Sequence, residues 1–123
     1  MSRFFNKLTD LKLACSCCDA YGMDDGFLLL LDNIREDVGE PLTITSGYRC
    51  ADYNDRISST GREGPHTSGQ AVDIACNNSA LRMKIVSAAL GQKVGRIGIA
   101  KSFVHIDSLD EYDNFPENKI WVY

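Results

Sequence analysis

The chain has 123 residues, 44% of them hydrophobic and 24% charged, which suits one packed domain spanning 1–123 and leaves too little length for a second module of ordinary size. Its formal net charge of −4, from 13 basic and 17 acidic side chains, excludes the basic footprint that nonspecific nucleic-acid binding requires. The longest apolar run, residues 27–31, is far short of the roughly 20 residues of a membrane-crossing helix.

Residues 1–7 run quickly into polar side chains and do not read as a secretory leader, so synthesis in a cytosol without a signal peptide is the expectation. Residues 8–11 predict a short helical turn, and Cys15-Ser16-Cys17-Cys18 follows. Five cysteines, counting Cys50 and Cys76, cannot all pair, and a cytosolic chain keeps them reduced. The spacing does not match a zinc finger. Packed thiols are the expectation; a structural metal held by Cys15, Cys17 or Cys18 with Cys50 is the alternative.

Asp24 or Asp25 caps a predicted helix whose apolar residues Phe27, Leu28, Leu30, Leu31, Ile34 and Val38 recur at three and four. Gly39 supplies the left-handed stop, and Pro41 prevents continuation. Residues 42–45 are rich in β-branched side chains and predict a strand, which delivers Ser46-Gly47-Tyr48-Arg49. A short helix is expected over residues 51–57. Residues 58–68 gather Ser, Thr, Gly and Pro and read as a loop.

Over residues 70–75 the period of two puts Val72 and Ile74 on one face and Ala71, Asp73 and Ala75 on the other. Ser79 is expected to cap a helix through Leu90, with Leu81, Ile85, Ala88 and Ala89 inward and Gly91 as its exit. Strands are predicted over 96–100 and 103–107, the latter with Val104 and Ile106 toward the core and Phe103, His105 and Asp107 opposite. An acidic loop over 108–118 leads to a closing strand, 119–123, with Trp121 expected in the core.

The chain has two histidines, His66 and His105, and each has an acidic residue nearby, Asp73 and Asp107. Two imidazoles and a carboxylate are the donor set of a catalytic zinc site that keeps its fourth position for water. A zinc ion there lowers the pKa of water from about 15.7 to about 7 and polarises a carbonyl, so hydrolysis of an amide is implied. On local pattern alone a structural reading stands beside it: a loop histidine, a core histidine and a turn aspartate. Arg49 offers a fork suited to a carboxylate or an oxyanion, or else a surface pair with Asp52 or Asp55. Tyr48 either lines the cleft or packs.

Ser46-Gly47-Tyr48-Arg49, then His66 through Asp73 with its Gly-x-Ala-x-Asp, then Phe103-Val104-His105-Ile106-Asp107 resemble the zinc D-alanyl-D-alanine peptidase family, which groups with lysostaphin-type enzymes and the hedgehog domain. The resemblance covers most of the chain in the family's order. It implies an α+β fold with an antiparallel sheet, helices on one face and a zinc cleft on the other. It implies one catalytic zinc held by His66, Asp73 and His105, and a substrate-facing Arg49; Tyr48, if it lines the cleft rather than packs, is a further substrate contact. The implied substrate is a peptidoglycan stem peptide or cross-link, cut by a carboxypeptidase or endolysin-type endopeptidase; a monomer is the expectation for the chain.

Related enzymes place an acidic residue three positions before the last ligand, or a histidine two before it. Here those places hold Ser102 and Phe103. Asp107 is then the nearest acid, as base or as orienter of His105, with Glu63, Asp110 and Glu111 as loop alternatives. Cysteine clusters near the amino terminus resemble those of small phage-encoded members, which is compatible with a phage origin; with a wall substrate and no leader, the expectation is action on the wall after release at phage lysis or as a virion component. A zinc-stabilised binding or structural module is the alternative function.

Overall fold

The computed structural model describes residues 2–6, 10–110 and 115–123. Of the turn expected over residues 8–11, Leu8 and Thr9 lie outside the described residues; a 3-10 turn spans Leu11–Leu13. Helix α1 (Asp25–Val38) forms as its punctuation predicts: Asp24 Oδ2 accepts from the Phe27 N–H at 2.8 Å, and Gly39 takes φ +80° while its N–H donates to the Arg35 carbonyl. A side-chain oxygen meets one of the unpaired N–H groups of the first turn, and only glycine adopts the left-handed exit without steric cost.

Phe27, Leu28, Leu31, Ile34 and Val38 are buried and form one apolar stripe. They share a core with Ile85, Ala88 and Ala89 of helix α3 (Ser79–Gly91) and with Val72, Ile74, Ile97, Val104 and Ile106 of the sheet. Each of the large aliphatic side chains stabilises the fold by about 1.5–3 kcal/mol through its burial. The buried Asp32 of the same helix accepts from Ser2 Oγ and from the Arg3 and Phe4 N–H groups, which lashes the first residues to α1. Helix α3 is capped by Asn78, whose Oδ1 accepts from the Leu81 N–H at 2.7 Å, one position earlier than expected. Gly91 lies inside the helix, and the left-handed residue is Lys93, beyond it.

Strands β1 (Ile44–Ser46), β2 (Ala71–Ala75), β3 (Arg96–Ile99), β4 (Phe103–Asp107) and β5 (Lys119–Val122) form one sheet in the order β1-β2-β4-β3-β5. The expected antiparallel arrangement holds for the first four neighbours. β5 corrects it, because it joins the outer edge of β3 in parallel and makes the sheet mixed. The reason is where β4 ends: Asp107 lies opposite Arg96, so a strand that starts from that end, as Lys119 beside Arg96 does, runs in the same direction as β3. The fold class is α+β.

Strand alternation sorts the two faces. Val72, Ile74, Val104 and Ile106 turn to α1 and α3, whereas Asp73, His105 and Asp107 turn away from them. The two long helices, α1 and α3, pack on one face and leave the other to the cleft, as expected. Helix α2 (Ala51–Ile57) and the 3-10 turns Gly61–Glu63 and Pro65–Ser68 stand beside the polar face, where Ile57 borders the cleft. Gly69, at φ +75°, ends the second turn; a Cβ there would stand 1.9 Å from the Gly22 carbonyl oxygen, so only glycine lets this turn lie under the segment entering α1. No helix among the described residues is long and apolar enough to cross a membrane.

Candidate active site

Three elements bring the site together. β2 carries Asp73, β4 carries His105 directly opposite it in the antiparallel ladder, and the turn Pro65–Ser68 carries His66. All three side chains are buried, and the imidazole rings lie 5.1 Å apart, edge to face. His105 Nδ1 is 2.9 Å and His66 Nε2 is 3.3 Å from the same oxygen, Asp73 Oδ1.

The outward nitrogens decide the tautomers. His66 Nδ1 lies 2.7 Å from the Gly47 carbonyl oxygen, and His105 Nε2 lies 2.7 Å from Asp107 Oδ2. Both partners can only accept, since Asp107 Oδ1 already receives the Arg96 Nε–H and the Leu109 N–H, so both outward nitrogens carry hydrogen. The inward nitrogens then aim lone pairs at a carboxylate oxygen. That arrangement repels unless a proton or a metal ion stands between.

One donor atom from each of His66, Asp73 and His105 lies within 4.8 Å of the others. A tetrahedral ion with bonds of about 2.0–2.1 Å to nitrogen and oxygen separates its ligand atoms by about 3.3 Å, close to the two nitrogen–oxygen distances found. The donor set therefore fits a zinc-like cation. Each imidazole is also aimed by a hydrogen bond from its far side, as metal-bound histidines are.

Charge in the site follows from this geometry. Burial works against ionising Asp73, but the neighbouring His105 and His66 rings outweigh it and hold the carboxyl far below its usual range. For His105, burial disfavours the charged ring, while hydrogen bonds to Asp107 and Asp73 overcome it and raise its pKa.

Arg49 reaches the same cleft. Its Nε donates to Ser46 Oγ, its Nη1 to Asn54 Oδ1, and its Nη2 lies 3.6 Å from Asp73 Oδ2. Of the two alternative partners, Asp52 is bonded to Arg62 instead. Asn54 is fully buried and also donates to Thr60 Oγ1 and the Gly61 carbonyl, which fixes the guanidinium relative to residues 58–61. Of the two roles open to Tyr48, lining the cleft or packing, its surroundings match packing. Its ring fills the space where a Cβ on Gly22 would be, 2.3 Å away, and it packs on the core.

The cleft measures about 380 Å³. Asp107 is fully buried beneath it with both oxygens engaged. Glu63 lies in the exposed turn Gly61–Glu63, Asp110 follows β4, and Glu111 lies outside the described residues. Two cleft residues, Arg96 and Trp121, escaped sequence reasoning. Arg96, 7% exposed, pairs with Asp107, donates to the Pro116 carbonyl and stacks on Trp121. Trp121, expected in the core, lines the cleft with its ring 5.5 Å from that of His105. Gly98 makes room for it: a Cβ there would stand 2.7 Å from Trp121 Nε1. The one sequence signal was an arginine opening an otherwise apolar strand.

Residues 6–107 match the family profile described as Peptidase M15. The chain belongs to the Peptidase M15 family. The matched region of this M15 peptidase holds Arg49, His66, Asp73, His105 and Asp107, and it ends before β5, so Trp121 lies outside it. No curated protein and no solved structure matches the chain.

Proposed function

We propose that this M15 peptidase is a zinc metallopeptidase that hydrolyses an amide bond in a peptidoglycan stem peptide or cross-link, with His66, Asp73 and His105 as the metal ligands. The observation that carries the reading is the convergence of two imidazole lone pairs on one oxygen of Asp73. Zinc held there supplies a water of lowered pKa and polarises the scissile carbonyl.

The chain's own residues supply the rest. Gly47 and Asp107 hold the two rings in the tautomers that present Nε2 of His66 and Nδ1 of His105. Arg49, steadied by Ser46 and Asn54, offers its fork to a substrate carboxylate or to the oxygen that gains charge in the transition state. Trp121, Phe103 and Tyr123 give the cleft an aromatic wall, and Ser58, Ser59 and Thr60 give it a polar rim. Asp107 acts on His105 rather than on water, since neither of its oxygens opens to the cleft.

One observation favours a second reading, a zinc-stabilised binding module. Among the described residues lining the cleft, Asp73 is the sole carboxylate, so no spare acid stands ready to carry a proton. Mass analysis of peptidoglycan fragments incubated with the purified chain separates the two. New peptide ends that require added zinc and vanish in His66→Ala support the peptidase. Zinc retention with no new ends supports the binding module, and full hydrolysis by His66→Ala or Asp73→Ala removes the ligand assignment.

A further inference from the structure

A second cluster lies away from the cleft histidines. Cys15, Cys17, Cys18 and Cys50 bring their Sγ atoms within 4.8 Å of one another, although Cys50 is separated from the other three by more than thirty residues. The Cys15–Cys17 and Cys17–Cys50 sulfur distances are 3.6 and 3.4 Å. A disulfide needs about 2.05 Å, and all four thiols are free. A zinc ion with Zn–S bonds of about 2.3 Å sets its four sulfurs about 3.8 Å apart, and the observed spacings lie near that edge.

Packing does not account for the convergence. Cys15 is buried and Cys50 half-buried, but Cys17 and Cys18 are exposed, whereas thiols that serve as small hydrophobes sit inside. The backbone is arranged around the sulfurs. The Asp19 N–H donates to the Cys15 carbonyl and the Cys15 N–H to the Ala20 carbonyl, with Asp19 at φ +57°, so residues 15–20 fold into a turn that gathers three thiols. The Cys50 N–H donates to Cys15 Sγ at 3.3 Å and the Tyr53 N–H to Cys50 Sγ at 3.4 Å. Such N–H donors favour thiolates. Burial opposes ionisation of Cys15, but the Cys50 and Cys17 backbone donors and neighbouring thiols bring its pKa to about 7.

We propose that Cys15, Cys17, Cys18 and Cys50 bind a structural zinc ion, closed by four thiolates, that clamps residues 13–18 onto the segment 46–50. Four protein ligands leave no position for water, which separates this site from the cleft. On binding, each thiol releases its proton to solvent and gives a sulfur lone pair to the ion; no electron is transferred. The clamp has a consequence for the cleft. Segment 46–50 carries Arg49 and the Gly47 carbonyl that orients His66, and it already lies against residue 13: the Tyr48 N–H donates to the Leu13 carbonyl, and a Cβ on Gly47 would stand 2.8 Å from Leu13 Cα. Zinc at the cysteines holds that contact shut.

Cobalt substitution of the full chain tests the site by a signal that the cleft cannot produce, because His66, Asp73 and His105 contain no sulfur. The expected result is an intense near-ultraviolet sulfur-to-cobalt charge-transfer band with the visible bands of a tetrahedral ion, lost in Cys17→Ser and in Cys18→Ser. The zinc content of His66→Ala/His105→Ala is expected to be one ion per chain and to fall to none when Cys17→Ser is added. A chelator should lower the melting temperature of the double histidine variant and leave that of the triple variant unmoved. No charge-transfer band, a disulfide in the reduced preparation, or iron in place of zinc would overturn the proposal. None of these readouts depends on whether the cleft binds metal or cuts peptide.

Discussion

His105 donates its Nε2–H to Asp107, two places along the same strand and 2.7 Å away, and this hydrogen bond turns Nδ1 of the ring toward Asp73. Neighbours at this spacing share a face of the strand, so the pair is built into β4 without help from a loop. Arg96 secures the arrangement from behind by donating to the other oxygen of Asp107.

Asp107→Asn leaves the buried Arg96 without its counter-charge and weakens the hold on His105. The expected loss of stability is about 3–5 kcal/mol, as for one partner of a buried ion pair, and zinc affinity should fall by about 10–100-fold. Turnover at saturating zinc should stay within about tenfold of the parent. A variant that is fully loaded with zinc yet inert would instead make Asp107 the base.

The raised pKa of His105 sets a pH dependence. In the metal-free chain, the charged ring between Asp73 and Asp107 contributes stability that is fully present below the unfolded value of about 6.5 and lost as pH rises through the folded value. The lowered pKa of Asp73 acts on the acid side, where its contribution is present above about 3.9 and lost as pH falls through the folded value. Zinc must displace the His105 proton, so its affinity at the cleft should rise from mildly acidic to mildly alkaline solution. Competition with a chromophoric chelator, on the Cys17→Ser/Cys18→Ser background, measures this; an affinity flat over that range would show that no proton is displaced.

Arg49→Lys keeps the charge and loses the fork. A lysine cannot donate to Ser46 and Asn54 while also reaching the cleft. If the guanidinium stabilises charge that develops in the transition state, kcat should fall by about 10²–10³. A rise confined to KM would place Arg49 on a carboxylate of the bound substrate, and unchanged kinetics would remove it from the cleft chemistry.

Gly98→Ala places a methyl 2.7 Å from the Trp121 indole nitrogen and 2.9 Å from the Tyr123 ring. The indole must move away from His105, at a cost of about 1–3 kcal/mol for overpacking. Because the chain has a single tryptophan, its fluorescence reports the shift directly. An unchanged spectrum and melting temperature would show that β5 gives way instead.

The helices and strands were legible because their signals are local. Asp24, the stripe from Phe27 to Val38 and Gly39 define α1 with no knowledge of the rest of the chain, and alternation over residues 71–75 and 103–107 already placed Asp73 and His105 on the faces opposite the core. The candidate ligands followed from residue type, since the sequence holds only two histidines. Register and strand order were not available in this way. Whether Arg96 stands beside Asp107, and Gly98 beside Trp121, depends on which strands pair and at what offset, and hydrogen bonds between distant segments set that. The parallel seat of β5 carried Trp121 from an expected core position to the cleft wall. The same long-range closure brought Cys50 to Cys15, Cys17 and Cys18, a grouping the sequence offered only as an alternative because spacing along the chain does not decide it.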